Sequence, residues 1–266
     1  MTVLNLCLEK GFKPPLVYVD TRMEWNSSLP YVKKIAEIYG LDLHIAKSKQ
    51  KPYEIWQTYG YPFLGKLPAR MWMRTHKKED YGFRLDCSTC CRKIKIEPGR
   101  LKAKEIGCNA MITGLRGQSD DRLRGLRSIK DGAIIYLKQD KITQINPIDG
   151  WTDSMVRRYT ENHNLPINPI KAAGMSSVGC RYCAGGSKYV DNTIRFLRLH
   201  DPQDWYKLMT EYDFARLVLA VKFEAPLQTI DEVIDKMGGV ERLLKDMPHV
   251  FDFLQYPPMK IKGYDK

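Results

Sequence analysis

The chain of 266 residues lacks any apolar run that approaches the ~20 residues needed to cross a bilayer. Its first ten residues lack the basic segment and the long apolar stretch of a secretory signal peptide. Internal repeats and low-complexity blocks are also missing. Hydrophobic residues make up 43% and charged residues 28%, which excludes a disordered or collagen-like protein. We therefore predict a globular, cytoplasmic protein that does not act at a membrane.

The chain has too few cysteines for a disulfide framework and fewer acidic than basic residues. Seven cysteines are too few for a disulfide scaffold, and an odd number cannot all pair, so we predict a reduced chain with some thiols used as ligands. Lys and Arg number 43 against 31 Asp and Glu, which gives a net charge of +12. This excess favours an anionic partner without choosing among nucleotide, nucleic acid and membrane surface, and a merely solubilising surface would have the same charge.

The first part of the chain alternates between helical and strand patterns. This order predicts an α/β fold with a parallel sheet and crossover helices. We predict helices at residues 2–10, 29–39, 97–107 and 149–161, and strands at 16–19, 41–45, 110–113, 134–137 and 141–145.

Two other regions have a different character. Residues 47–86 are rich in Lys, Pro, Tyr and Trp without a clean period, and we predict a long loop with helical pieces. Residues 190–224 and 240–246 have helical patterns. We therefore divide the chain into an α/β domain at 1–185 and a helical C-terminal extension at 186–266.

The cysteines form the strongest chemical pattern. Five of them fall into two groups, which are Cys87, Cys90 and Cys91, and the Cys-x-x-Cys pair Cys180 and Cys183. Two such groups can supply four thiolates to zinc or to an iron–sulfur cluster, and the alternative is a set of buried thiols without a metal. Whether Cys87 is a ligand stays open. Cys7 and Cys108 lie in apolar contexts and are predicted to be core residues.

A polar, arginine-rich segment at residues 114–130 follows the strand predicted at 110–113. In open parallel sheets, ligands bind at the carboxyl ends of the strands. Arginines donate bidentate hydrogen bonds to phosphate, and amides and hydroxyls suit a sugar or a base. The segment is therefore a candidate nucleotide site, with a solvated basic loop as the alternative.

Several motifs, in consistent order over about residues 1–185, resemble those of the phosphoadenylylsulfate (PAPS) and adenylylsulfate (APS) reductase family. Residues 90–98 are similar to its CC-x3-K-x-E-P segment, and residues 113–119 to its TG-[LQ]-R-x-x-Q-S segment. The other similar segments are residues 17–21, 146–152, 164–169 and the GCxxC at 179–183.

The resemblance implies a Rossmann-like fold of the adenine nucleotide alpha-hydrolase type. It implies a [4Fe–4S] cluster on Cys90, Cys91, Cys180 and Cys183. It also implies that Lys95 is catalytic, near both the cluster and the phosphosulfate of the substrate. The nucleotide-binding residues that it implies are Asp20, Thr21, Gly114, Arg116, Gln118, Ser119 and Arg122.

Two family features are not found in this sequence. The nucleotide loop SGGKDS precedes the family's first helix, and residues 1–4 align just after its serine, so this loop and the central strand before it are not included. A truncated or mis-started reading frame, a partner or oligomer that completes the sheet, and a degenerate relative are the open explanations. The family's C-terminal nucleophilic cysteine also has no counterpart, since residues 184–266 contain no cysteine.

These features are compatible with three functions. The first is an iron–sulfur oxidoreductase that acts on the sulfur of APS or PAPS. The second is an ATP-pyrophosphatase-type enzyme that uses ATP to insert sulfur into DNA or RNA, which the net charge and the aromatic, basic residues 47–86 favour. The third is a non-catalytic subunit that carries the cluster and binds a protein partner.

Overall fold

A computed structural model describes residues 1–62, 66–116, 132–175, 178–183 and 190–251. The chain divides into two compact units. The first unit contains residues 1–20, 26–48 and 95–173, and the second contains residues 21–25, 49–94 and the described part of 174–266.

The elements follow the chain in this order. They are α1 (Thr2–Glu9), β1 (Leu16–Asp20), α2 (Ser28–Tyr39), β2 (Leu43–Lys47), α3 (Pro52–Tyr59), α4 (Lys66–Thr75), α5 (Lys78–Tyr81), α6 (Cys87–Cys91), a π-helical turn (Arg92–Ile96), α7 (Glu97–Glu105), β3 (Ala110–Ile112), β4 (Ile134–Leu137), β5 (Ile142–Ile145), α8 (Asp153–Asn162), α9 (Pro169–Ala172), α10 (Val190–His200), α11 (Pro202–Thr210), α12 (Phe214–Phe223), α13 (Leu227–Lys236), α14 (Val240–Asp246) and a 3-10 turn (Pro248–Phe251).

The first unit holds the strands. β1 pairs in parallel with β2, and α7 packs against both. β5 lies between β3, to which it is parallel, and β4, to which it is antiparallel. This confirms the predicted α/β fold with parallel pairing and flanking helices.

The described strands form two sheets where we expected one. Among these strands, β1 pairs with β2 alone and β3 pairs with β5 alone. Each sheet therefore ends at a strand whose other edge has no described strand beside it. Because strand edges favour further pairing, this arrangement is compatible with a partner strand, and its completion by a partner stays a prediction.

Hydrogen bonds fix the helices of the first unit near the ends of the strands. The hydroxyl of Thr152 accepts from the backbone N–H of Met155 at 3.2 Å and caps α8. α2 ends at Gly40, whose φ of 58° gives the left-handed cap that its sequence predicts. The hydroxyl of Tyr31 in α2 donates to the carbonyl of Pro166 at 2.8 Å, which anchors the segment before α9.

The second unit is helical, as predicted for the C-terminal region. Its centre is α12, whose sequence FARLVLAVKF is apolar on nearly all sides, so α11 and α13 pack around it. Arg216 of α12 donates two hydrogen bonds to Asp231 of α13, each of 2.6 Å. This bidentate pair joins the two helices.

The long loop predicted at residues 47–86 is mostly helical in the structure. α3, α4 and α5 lie within it and bury large aromatic rings, including Trp56 and Trp72. The short helices have too few turns to show a clear period, which is why the pattern did not predict their bounds. Among the described residues, no helix combines the length and the apolar content that crossing a membrane requires.

Candidate functional site

The helix α6 carries three of the candidate thiols, and Asp86 determines where it begins. The carboxylate of Asp86 accepts hydrogen bonds from the backbone N–H of Thr89 at 2.9 Å and from the Thr89 hydroxyl at 2.6 Å. Burial would raise the pKa of Asp86, but these hydrogen bonds outweigh it and lower the pKa. The helix α6 begins at Cys87. Cys90 and Cys91 therefore lie one turn further on, on the same side of the helix as Cys87.

A close backbone contact at Gly60 positions the segment that leads into α6. The N–H of Tyr61 donates to the carbonyl of Arg84 at 2.8 Å, and the N–H of Asp86 donates to the carbonyl of Tyr61 at 3.0 Å. Gly60 has a φ of 123°, and a Cβ there would lie 3.0 Å from both the Arg84 oxygen and the Asp86 nitrogen. This conformation and approach require glycine.

Cys90 of α6 is buried, whereas Cys87, Cys91 and Cys183 are half-buried. Burial raises the pKa of Cys90 to about 12, a hydrogen bond from Trp56 opposes the shift, and the charges of Cys183, Cys91 and Cys87 add to it. Burial also raises the pKa of Cys87 to about 12, with contributions from Cys183 and Cys91. Cys91 and Cys183 therefore lie within electrostatic range of both Cys87 and Cys90. All seven cysteines are thiols, and none forms a disulfide.

Cys180 lies beside a second predicted site residue, Thr21. The Thr21 hydroxyl oxygen is 3.5 Å from the Cys180 sulfur, and Thr21 donates to the carboxylate of Glu24 at 3.1 Å. The Cys180 thiol lies 3.8 Å from the same carboxylate. The backbone N–H of Arg181 donates to the carbonyl of Met23 at 2.7 Å, which anchors the turn. The structure thus places Thr21, predicted to bind nucleotide, against a predicted metal ligand.

An ion pair holds the Cys180–Cys183 turn to α11. The guanidinium of Arg181 pairs with the carboxylate of Asp204, and the two side chains are only 14% and 21% exposed. The same guanidinium lies 4.9 Å from the ring centre of Tyr182. Because both groups are largely shielded from water, separating them would leave charges without a partner, which disfavours movement of the turn away from α11.

Two of the predicted nucleotide residues already have charged partners in the first unit. Asp20, the last residue of β1, lies 2.9 Å from the ammonium of Lys47 at the end of β2. Arg116 pairs with the carboxylate of Asp153, the first residue of α8, and its other Nη lies 3.5 Å from the carbonyl of Trp151.

The remaining predicted residues divide between described and undescribed parts of the chain. Gly114 follows β3, and a Cβ there would be 3.8 Å from the side chain of Val3 in α1. Lys95 lies half-buried in the π-helical turn, a type of turn that is frequent at functional sites. Its proximity to the cysteines stays a prediction, because Lys95 belongs to the first unit. Gln118, Ser119 and Arg122 lie outside the described residues.

Trp56 and Asn146 contribute to these sites but were not among the predicted residues. The indole of Trp56 donates to the sulfur of Cys90 at 3.2 Å. Asn146 is 1% exposed, and its amide oxygen accepts from Thr113 at 2.6 Å and from Gln144 at 3.2 Å, which joins the ends of β3 and β5. The aromatic richness of residues 47–86 was the available signal for Trp56, but composition does not distinguish a sulfur-binding indole from one that only fills the core.

The residue type of the thiols and their arrangement in space lead to different conclusions about a metal site. Within the part of the chain that the structure describes, no three His, Cys, Asp or Glu side chains are arranged to hold a metal ion. A tetrahedral zinc site would need such an arrangement around one point. Thiolates are also the usual ligands of iron–sulfur clusters, in which the sulfurs bind separate iron atoms. The residue types therefore fit a cluster, whereas the spacing does not form a ready-made site for a single ion.

The parallel strands and flanking helices place the chain among α/β proteins, a class in which ligands commonly bind at the carboxyl ends of the strands. A family model described as the phosphoadenosine phosphosulfate reductase domain matches residues 1–186, well over half of the chain. The chain therefore belongs to the phosphoadenosine phosphosulfate reductase family.

Curated relatives agree with this family. An adenosine 5'-phosphosulfate reductase of Bacillus cytotoxicus is 31% identical over 190 residues, which cover 69% of this chain and 68% of that protein. A phosphoadenosine 5'-phosphosulfate reductase of Alkalilimnicola ehrlichii is 26% identical over 166 residues, or 62% of this chain and 58% of that protein. The match thus spans little more than half of the latter's length.

A solved structure is also similar. It is the crystal structure of a phosphoadenylyl-sulfate (PAPS) reductase from Candida auris in a phosphate complex, with 22% sequence identity and a TM-score of 0.44. The similarity covers 67% of this chain and 75% of that chain.

Proposed function

We propose that the chain is an iron–sulfur protein that acts on an adenine nucleotide in sulfur metabolism, as an oxidoreductase of the sulfonucleotide reductase type. The observation that carries the proposal is the grouping of the α6 thiols with Cys183 inside the second unit, in a chain of this family. Its substrate would be APS or PAPS, by analogy with the relatives named above.

A [4Fe–4S] cluster would be held by the pairs Cys90–Cys91 and Cys180–Cys183, and when bound it would supply redox and electrostatic chemistry near the substrate. Burial and the charges of the neighbouring cysteines disfavour the thiolate of Cys90. Bound iron would supply positive charge that stabilises it, since metal coordination deprotonates thiols.

The first unit would hold the nucleotide at the ends of β1 and β3. Arg116 would release Asp153 and donate a hydrogen bond to a phosphate oxygen. Lys95 would stabilise the negative charge of the phosphosulfate. In the overall reaction, the S–O bond to the nucleotide would break, and two electrons from an added dithiol would reduce the sulfur to sulfite. The dithiol would become a disulfide and release two protons. The nucleotide product would be AMP from APS and adenosine 3',5'-bisphosphate from PAPS.

Anaerobic purification followed by iron and acid-labile sulfide analysis tests the cluster. Calorimetry with APS, PAPS and a non-hydrolysable ATP analogue tests the nucleotide, and release of sulfite with a dithiol reductant tests the reaction. We expect iron and sulfide in equal amounts and tighter binding of a sulfonucleotide than of the ATP analogue. A chain that contains no iron and binds none of the nucleotides would refute the proposal.

The second candidate is an adenylating enzyme that inserts sulfur into a nucleic acid. The net charge of +12 and a group of exposed cations on and after α4 favour it, namely Arg70, Arg74, Lys77 and Lys78. Salt-dependent gel shifts with DNA and RNA distinguish the candidates. Binding that weakens steeply with salt and that Arg70→Ala with Arg74→Ala reduces would support this second function. A cluster-bearing chain that binds neither nucleotide nor nucleic acid would instead be the non-catalytic subunit.

A further inference from the structure

We infer that Asn146 is a positioning residue for nucleotide binding, because its side chain holds the segment that carries Arg116 and its backbone begins the turn that carries the partners of Arg116. The inference rests on the proposed function, since it assumes that Arg116 binds a phosphate of the nucleotide. Both residues belong to the first unit. Asn146 is 1% exposed and acts through the residues that it holds.

The side chain of Asn146 is bonded to the turn that follows β3. Its amide oxygen accepts from the hydroxyl of Thr113 at 2.6 Å. The same hydroxyl oxygen accepts from the backbone N–H of Leu115 at 3.4 Å. Arg116 is the next residue along the chain. The backbone from which the arginine side chain extends is therefore tied to the residue that follows β5.

Two further hydrogen bonds fix the position of Asn146 itself. The side-chain amide of Gln144 donates to the same Asn146 oxygen at 3.2 Å. The backbone N–H of Asn146 donates to the carbonyl of Ala133 at 2.7 Å. Because both side chains are buried, turning the Asn146 amide away would leave the donors of Thr113 and Gln144 without this acceptor. Other side-chain conformations of Asn146 are therefore disfavoured.

The backbone of Asn146 begins the turn that leads to α8. Its carbonyl accepts from the N–H of Asp149 at 3.1 Å, and the carbonyl of Ile148 accepts from the N–H of Trp151 at 3.0 Å. The chain then enters α8 at Asp153. The turn thus fixes the start of this helix relative to Asn146.

The two hydrogen-bonded paths from Asn146 meet at one guanidinium. Arg116 lies 3.5 Å from the carbonyl of Trp151 and pairs with the carboxylate of Asp153. A phosphate that replaces this carboxylate would meet a guanidinium that the Trp151 carbonyl still holds. A donor that is already in place loses less freedom on binding, so its contribution to affinity is larger.

Thr113 supplies variants that test the side-chain path with little change in shape. Thr113→Val removes the hydroxyl, whereas the conservative variant Thr113→Ser keeps it. Thr143→Val is the matched control. Thr143 lies on β5 and pairs with Ala110 of β3, and its hydroxyl makes no hydrogen bond among the described residues.

The test is calorimetry with APS and PAPS, with each variant made in the wild-type chain and in Arg116→Ala. We expect Thr113→Val to weaken binding by about three- to tenfold in the wild-type chain and to have no further effect in Arg116→Ala, since residues that act as one unit are not additive. Thr113→Ser and Thr143→Val should bind as the wild type does.

The outcomes separate the inference from the proposed function. An equal loss of affinity in the two backgrounds would indicate a merely structural role for Thr113 and would overturn the inference alone. Wild-type affinity in Thr113→Val would also overturn it alone. A wild-type chain that binds neither nucleotide would overturn it together with the proposed function.

A measurement on the wild-type chain covers the case in which Thr113→Val does not fold. Amide hydrogen exchange followed by nuclear magnetic resonance reports on the N–H groups of Leu115 and Asp149, one on each path from Asn146. We expect both to exchange much more slowly than in an unstructured peptide. Exchange of either group at the unstructured rate would overturn the inference, because that path would then not hold its segment.

Discussion

The guanidinium of Arg116 is ion-paired with the carboxylate of Asp153, the first residue of α8. The Arg116 side chain is only 16% exposed, whereas that of Asp153 is 63% exposed. The arginine is thus held by a carboxylate that solvent can also stabilise. An anionic ligand that accepts from the same guanidinium nitrogen can replace this carboxylate, so Asp153 is a competitor of the phosphate that Arg116 is proposed to bind.

This competition makes a prediction about affinity. We expect Asp153→Asn to tighten the binding of AMP by up to about fivefold, since an exposed ion pair is worth about 0.2–1 kcal/mol. We expect Arg116→Ala to weaken binding by about tenfold or more, because a hydrogen bond to a charged group contributes about 1.5–3 kcal/mol. Isothermal titration calorimetry measures both. Weaker binding by Asp153→Asn would contradict the competitor role.

A second prediction concerns the cap of α6. Asp86→Ala should lower the free energy of unfolding by about 1 kcal/mol, the typical value for loss of an N-cap, while Asp86→Asn should retain most of it. Urea unfolding at neutral pH measures the difference.

The same cap gives a pH dependence. The pKa of Asp86 lies below its ordinary value of 3.8 in the folded chain, so its carboxylate stabilises the fold above that pH. The stabilisation is lost as the pH falls through the lowered folded-state pKa. The difference in unfolding free energy between wild type and Asp86→Ala should therefore shrink below pH 3.8. A difference that stayed constant would show that the cap does not depend on ionisation.

A third prediction compares two ion pairs of the second unit. Asp204→Asn removes the partner of Arg181 and leaves a charge that is mostly shielded from water, which should cost about 2–3 kcal/mol, somewhat less than for a fully buried pair. Asp231→Asn is the control, because its pair with Arg216 is 33% and 41% exposed and should cost about 1 kcal/mol. Chemical unfolding gives both values, and the reverse ranking would argue against a restraining role for Arg181.

The fourth prediction separates ligands from other thiols. Single replacements by Ser should abolish or strongly reduce iron binding at Cys90, Cys91, Cys180 and Cys183. Cys108→Ser is the control in the first unit and should retain full iron content. We expect Cys87→Ser also to retain iron, since four thiolates complete the cluster. Loss of iron in Cys87→Ser with retention in Cys180→Ser would reassign the ligand set.

Local patterns predicted most of the first unit. The apolar run at residues 16–19 predicted β1, and the helical period at 29–39 predicted α2. In both elements, the spacing of the apolar residues indicates burial. The strand predicted at 41–45 lies instead at Leu43–Lys47, because pairing with β1 sets its bounds. That register depends on a partner strand and not on local sequence.

The site was less predictable than the fold, for a physical reason. Cysteine spacing singled out the thiols, but the ring that donates to Cys90 and the carboxylate near Cys180 are distant in sequence. Residue type also indicated Arg116 as a phosphate ligand, without revealing that Asp153 holds it. Contacts between side chains far apart in sequence are set by packing, which one-dimensional patterns do not encode.

Gly60 affects the order of events during folding. Its contact with Arg84 and Asp86 closes the chain between residues 60 and 84 and positions the start of α6. Loop closure has an entropic cost that local helix formation does not have, so this contact forms later than the turns of α3. We therefore expect the thiols of α6 to reach their final places after the turns of α3 have formed.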